Sequence, residues 1–393
     1  MRSDRVLHII IAANVLPVVI GILAFPIYRK PLPVEYVAFS SLFWFVSAVS
    51  MIIINREGAK TLLSSLGSDF GRKNVVLYFV VVAALIVVVN IPTVLGARAS
   101  QIDNRDFLFK LFFLFEDFLF LSVAACLVYT IVTRSVVGLL LSIGMVYFVY
   151  LVFNRFGMVA TAVLVWFSFF ARDTQSIGVS RGLPRGGTRS TFVTILVVLF
   201  AFSGLFIIEA KRHDHGLTAG VSDALVDRVG EFATLEVVDK MYSARRFDGF
   251  DGFENLKYLY LPAVFFPNKP IINDGSVYLR ERFGMGTGYS STRFPILLHN
   301  DAFRRFGWWG IICGLLPSIS LYVMIRLSLF LRRVTGVPLL SLLTMKLAIF
   351  IYPKSILGLV EVTLYTSLRS AVVILAVYLG FLLLKNSPPI GKK

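Results

Sequence analysis

The length of its apolar runs constrains this chain more than any other feature. Stretches of about twenty apolar residues, the number a helix needs to cross a bilayer, follow one another from the N-terminus to Ala210. They resume after Phe306. Between them, Lys211 to Phe306 holds no run long enough to cross. Lipid offers backbone N–H and C=O groups no partner, so a spanning segment must be a helix or part of a closed barrel. A barrel would show short alternating strands, whereas these runs are continuous. With 57% hydrophobic residues and mean hydropathy +0.78, the chain is expected to be an all-α polytopic integral membrane protein. About ten transmembrane helices and one large, partly helical loop are expected.

The spans fall near 6–28, 37–55, 75–96, 108–131, 135–153, 157–170, 191–210, 307–330, 337–353 and 365–384. Three regions follow: an N-terminal bundle over 1–210, the large loop over 211–306, and C-terminal helices with a tail over 307–393. The first run follows Arg2 and Arg5 as a signal peptide would. It is long and lacks a clear small-residue cleavage site, so it reads as a retained anchor. Loop charge orients the rest. Arg56, Lys60, Arg72, Lys73, Arg134, the arginines of 171–190, Arg332, Arg333 and the C-terminal lysines fall on the side of the N-terminus. Both termini are therefore expected in the cytoplasm and the large loop outside, in the periplasm if the host is a Gram-negative bacterium. No internal repeat is evident, which weighs against an inverted-repeat transporter.

The large loop has the pattern of a folded lid. Val221, Leu225, Val229, Phe232, Leu235, Val238 and Met241 recur at helical spacing, so 221–243 reads as one amphipathic helix with Ser222 as its N-cap. Gly249, Gly252 and Phe253 make a turn, and Leu256 to Phe266 is apolar and aromatic enough for the membrane interface. A second structured stretch, Ser276 to Gly284, precedes a glycine-rich segment.

The net charge of +16 suits cytoplasmic loops and anionic lipid headgroups, and no nucleic-acid module accompanies it. On the loop side stand Arg155, Arg228, Lys269, Arg280, Arg282, Arg293, Arg304 and Arg305. Each alone reads as an interfacial anchor or a solvated face. Together they suit a pyrophosphate, whose oxygens match guanidinium forks. Glu231 and Asp301, the latter close to His299, are candidate general bases. The alternatives are a salt bridge from Glu231 to Arg228 and helix capping by Asp301. Glu116 and Asp117 lie inside a span and need partners, with Lys346, Arg369 or Lys110 to supply them. They read as a structural cluster first and a substrate path or proton relay second. Cys126 and Cys313 read as small core residues, not as a disulfide. His213-Asp-His215 has a metal-like spacing but no further ligand nearby, and reads as exposed polar residues. With no P-loop, dinucleotide fingerprint, zinc motif or nucleophile elbow, neither cofactor nor metal is expected.

Three segments carry a resemblance. Phe153-Asn-Arg-Phe-Gly157 opens an apolar run. The loop helix with Arg228 is followed by the aromatic stretch Tyr258 to Pro270, ending in Lys269-Pro270. Gly288-Tyr-Ser-Ser-Thr-Arg293 leads into Ala302-Phe-Arg-Arg-Phe-Gly-Trp-Trp-Gly310. These resemble the Wzy-type O-antigen repeat-unit polymerases, in detail over residues 150–315 and elsewhere in hydropathy. Asn154 stands where that family usually has a small residue. The resemblance implies glycosyl transfer at the outer face of the bacterial inner membrane. Undecaprenyl-pyrophosphate-linked glycans would be donor and acceptor, membrane lipid a partner, and a chain-length regulator a further one. It implies that Arg155, Arg228, Arg293, Arg304 and Lys269 hold the leaving pyrophosphate. Glu231 or Asp301 would activate the acceptor hydroxyl. O-antigen ligases share this layout. A lipid-linked-oligosaccharide flippase and a non-catalytic membrane scaffold are the readings from other classes.

Overall fold

The computed structural model describes residues 2–70, 73–96, 115–133, 144–145, 232–243, 247–261, 266, 268, 270, 275–284, 296–349 and 351–386. In chain order its α-helices are α1 (Arg2–Tyr28), α2 (Val34–Phe70), α3 (Lys73–Gly96), α4 (Glu116–Thr133), α5 (Phe232–Leu235), α6 (Val238–Ser243), α7 (Gly275–Phe283), α8 (Leu298–Phe306), α9 (Leu316–Thr335), α10 (Leu340–Ala348), α11 (Ile356–Val360) and α12 (Ser367–Asn386). Tighter 3-10 turns cover Phe253–Tyr258 and Gly307–Leu315. A wider π-helical turn, Glu361–Thr366, joins α11 to α12. No strand occurs among the described residues.

Among the described residues four helical stretches are long and apolar enough to cross a membrane: Val6–Ile27, Val34–Leu62, Leu298–Thr335 and Ile356–Asn386. A shorter apolar helix covers Asn74–Val89. These are the features of a helical membrane protein. The expected spans near 6–28, 37–55, 75–96, 307–330 and 365–384 coincide with described helices, and the described part of 108–131 is α4. The expected spans at 157–170 and 191–210 lie outside the described residues, as does 135–153 apart from Gly144 and Met145.

Two expectations need correction. The stretch 337–353 does not cross as one helix. Its helix, α10, has nine residues, about 14 Å at 1.5 Å per residue. Pro353 lacks the N–H that would continue it and disfavours a helical Tyr352. The stretch 221–243 is not one unbroken helix either. Its described part is α5 and α6, parted by a turn at Glu236 and Val237. The expected apolar face persists across the turn, with Leu235, Val238 and Met241 all buried.

The chain divides into two compact units. The first comprises residues 1–60, 205–326 and 347–366, the second 61–204, 327–346 and 367–393. At the centre of the first lies α8, Leu-His-Asn-Asp-Ala-Phe-Arg-Arg-Phe, a polar helix buried over Leu298–Arg305. Gly307, at φ 56°, then turns the chain back on α8. Gly310 comes so close that a Cβ there would lie 2.4 Å from the Ala302 carbonyl oxygen. No larger residue fits.

The break after α10 leaves backbone groups that lipid could not satisfy. Asn14, wholly buried in the middle of α1, satisfies them. Its Nδ2 donates to the Ile10 and Ala348 carbonyls at 2.8 and 2.9 Å. Its Oδ1 accepts from the Ile351 and Tyr352 amides at 3.0 and 2.8 Å. One side chain thus ends α10 and holds the following turn.

The second unit packs α3, α4 and α12 around a buried ion cluster. Lys346 pairs with Asp117 and lies 4.0 Å from Glu116. Arg369 is 3.6 Å from Asp117, and Ser370 donates to the same carboxylate. These are the partners the intramembrane carboxylates required. Tyr78 sits so close to Gly380 that a Cβ there would meet its hydroxyl at 2.8 Å.

Asn14→Leu keeps the bulk of this side chain and strands three buried backbone groups outside α1. Each such group costs about 1–3 kcal/mol, so the variant should lose about 3 kcal/mol or more. Unfolding of the purified protein in detergent reads this; an unchanged midpoint would remove Asn14 from the role.

Candidate functional site

The loop meets the span helices of the first unit on α8, and one carboxylate organises the joint. Asp301 Oδ1 pairs with Arg304 Nη2 at 2.6 Å. Its Oδ2 accepts from Arg305 Nε at 3.3 Å and from the Ile356 amide at 2.8 Å. Asp301 is thus a helix cap, but of α11 rather than of its own helix. Ser355 completes that cap, its Oγ accepting from the Gly358 amide at 3.0 Å.

The two arginines reach the other way, into the loop. Arg305 Nη1 donates to the Gly249 and Asp251 carbonyls at 3.2 and 2.7 Å. In return the Asp248 and Gly249 amides donate to the Arg304 and Arg305 carbonyls at 3.2 and 2.9 Å. Gly249 and Gly252 hold positive φ, 56° and 85°, which shapes the expected turn around the Arg305 guanidinium. Arg304 lies 3.6 Å from Asp248 and stacks 4.2 Å from the Tyr278 ring centroid. Burial raises the Tyr278 phenol above its usual range, opposed by Arg304, so at neutral pH its hydroxyl keeps its proton.

Aromatic packing closes the other side of α8. Tyr242 of α6 stacks on Phe303 at 3.8 Å, and Phe39 of α2 meets the same ring edge-on at 5.1 Å. His299 sits between Trp44 and Tyr36. The Trp44 Nε1–H can only donate, so His299 Nδ1 accepts it at 3.1 Å. The remaining hydrogen is then on Nε2, which faces the Tyr36 hydroxyl at 3.2 Å. The imidazole is a neutral wedge between α2 and α8.

Of the residues singled out from the sequence, the structure brings Asp301 and Arg304 together. Asp301 is fully buried and its oxygens are occupied by two guanidiniums and an amide, so in this conformation it serves as a joint. Arg304 is 5% exposed and has its charge matched by two carboxylates. Arg155, Arg228, Glu231, Lys269 and Arg293 lie outside the described residues, as do Lys110, His213 and His215. Arg282 is exposed on α7. Cys126 and Cys313 are not joined in a disulfide. No group of three or more metal-ligating side chains occurs among the described residues.

Sequence reasoning passed over Asp248 and Tyr278, which sit on Arg304, and Glu361 in the π-helical turn. For Glu361 a signal existed: a carboxylate inside an apolar run. A span drawn at 365–384 left it outside, whereas the helical stretch begins at Ile356. Comparisons with family models, curated proteins and solved structures find no match to this chain.

Removing Asp301 alone takes from two buried guanidiniums the carboxylate they share. Asp301→Ala should cost about 3–5 kcal/mol, the usual penalty for breaking a buried pair. In a double-mutant cycle with Arg305→Met the double variant should lose less than the sum of the singles. Additive losses would mean that the pair does not hold the loop.

Proposed function

We propose that this protein is a membrane glycosyltransferase. It would polymerise polyprenyl-pyrophosphate-linked oligosaccharide repeat units at the outer face of a bacterial inner membrane, with about ten spans, cytoplasmic termini and the large loop in the periplasm. The observation that carries this reading is the joint on α8. The described part of the loop is tied to a buried helix by side-chain and backbone bonds in both directions. A fixed surface at the end of a helix bundle is what a reaction between two lipid-anchored substrates needs. Positioning two reactants converts a bimolecular encounter into an effectively unimolecular one.

In this reading the acceptor hydroxyl attacks the anomeric carbon of the donor glycan, and the lipid pyrophosphate leaves with the bonding electrons. Charge develops on the leaving oxygens, where preorganised guanidiniums contribute most. Arg155, Arg228 and Arg293 are assigned to that role, with Lys269 in support. Arg304, already paired, holds the loop that carries Arg228, Lys269 and Arg293.

The test is reconstitution of the purified protein in liposomes with a synthetic lipid-pyrophosphate repeat unit and a chelator. A ladder of longer glycans, lost in Arg228→Ala, is the expected result. Transfer to a lipid A core acceptor instead would make the protein a ligase. Movement of the lipid between leaflets without new glycosidic bonds would overturn the enzyme reading in favour of a flippase.

A further inference from the structure

Glu361 is the described carboxylate whose position is hardest to explain by stability. It lies inside the apolar stretch Ile356–Asn386, where an ionisable group is costly and is retained for a task. Unlike Glu116, Asp117 and Asp301, it makes no ion pair or hydrogen bond with another side chain among the described residues. It opens the π-helical turn Glu361–Thr366, a widening that recurs at functional sites. Local side chains hold the turn in place. Thr363 Oγ1 donates to the Leu359 carbonyl at 2.7 Å and contacts Ser320 Oγ of α9.

What lies beside Glu361 is the loop. Leu357 packs with Leu259, and Phe253, Leu256 and Tyr365 gather around the pair. Tyr365 also meets Tyr260, with ring centroids 6.4 Å apart. Glu361 stands four residues after Leu357 and four before Tyr365, so the three share one side of the helix. Leu364, Leu368 and Val372 make an exposed apolar row offset from them. Glu361 is partly exposed. Glu361, without a side-chain partner among the described residues, therefore shares a helix face with two residues, Leu357 and Tyr365, that pack on the loop.

We infer that Glu361 is the carboxylate that binds the acceptor sugar hydroxyl and takes its proton, resting on the glycosyltransferase reading above. A carboxylate accepts the hydroxyl hydrogen, and the faces of Tyr260 and Tyr365 suit the C–H side of a sugar ring. In the transfer, the acceptor O–H proton passes to the Glu361 carboxylate and the oxygen bonds to the anomeric carbon. The anomeric carbon–phosphate oxygen bond breaks, and the lipid pyrophosphate keeps the electron pair. The ligand is a polyol, and no metal is needed to hold it.

The experiment uses full-length protein in liposomes with the synthetic lipid-pyrophosphate repeat unit, comparing wild type, Glu361→Gln and Glu361→Asp. Glu361→Gln should lower the elongation kcat about 100-fold or more, with the acceptor KM changed far less. Glu361→Asp should retain part of the rate and move the acidic limb of the pH–kcat profile. An active wild type with an equally active Glu361→Gln overturns the assignment. If Glu361→Gln fails to fold, an unmoved limb in Glu361→Asp overturns it. A wild type that forms no glycosidic bond at all overturns the function proposed above, a result read without any Glu361 variant.

Discussion

One buried carboxylate, Asp301, fixes the relation of three segments in the first unit. Through Arg304 and Arg305 it is joined to the loop, and through the Ile356 amide to the helix that continues into the membrane. Two cations and an amide around one carboxylate is a geometry in which each partner depends on the others. Taking the ions from water costs several kcal/mol apiece, of order, and is offset only when every lone pair and proton is engaged. Such a site contributes little net stability against an apolar replacement. What it supplies is a link, one carboxylate shared by two cations and the amide of a third segment.

The apolar surroundings explain why so many small polar residues are used as joints. Where backbone departs from helix at membrane depth, something in the protein must replace the lost partners. Asn14 does so for the turn after α10, with four bonds from one amide side chain. Asn55 ties α2 to α9, its Nδ2 donating to both the carbonyl and the hydroxyl of Ser318 at 3.1 Å. Glycines serve the same packing from the opposite direction, letting backbones meet where a Cβ would collide, as at Gly310 and Gly314. Each is a local solution to a problem that water would have solved in a soluble domain.

How much of this was legible depends on the range of the interaction. The helices were legible because bilayer length and hydropathy are local properties. So were the partners of Asp117, since a charge inside a span demands an opposite charge and the chain has few in that position. The break at Pro353 was not, because hydropathy continues across it while the helix does not. Nor was the role of Asp301. Its sequence neighbours suggested a base or a cap, and the residue it caps lies 55 positions away. Arg304 and Arg305 read as interfacial anchors for the same reason. Their partners, Asp248, Gly249 and Asp251, belong to a turn whose docking no periodicity announces.

Charge in this protein thus sorts by partnership rather than by burial. Asp301, Arg304, Lys346 and Asp117 are buried and paired, and their business is to hold helices and loop in register. A paired ion is a poor reagent, since it must give up its partner before it can take a proton or a phosphate. The groups fit for chemistry are those the fold keeps near the apolar body without matching them. Among the described residues Glu361 is such a group: it opens the π-helical turn inside an apolar stretch, on a face whose Leu357 and Tyr365 pack on the loop. Structural charges fix the described part of the loop, and that part packs on the helix that carries Glu361.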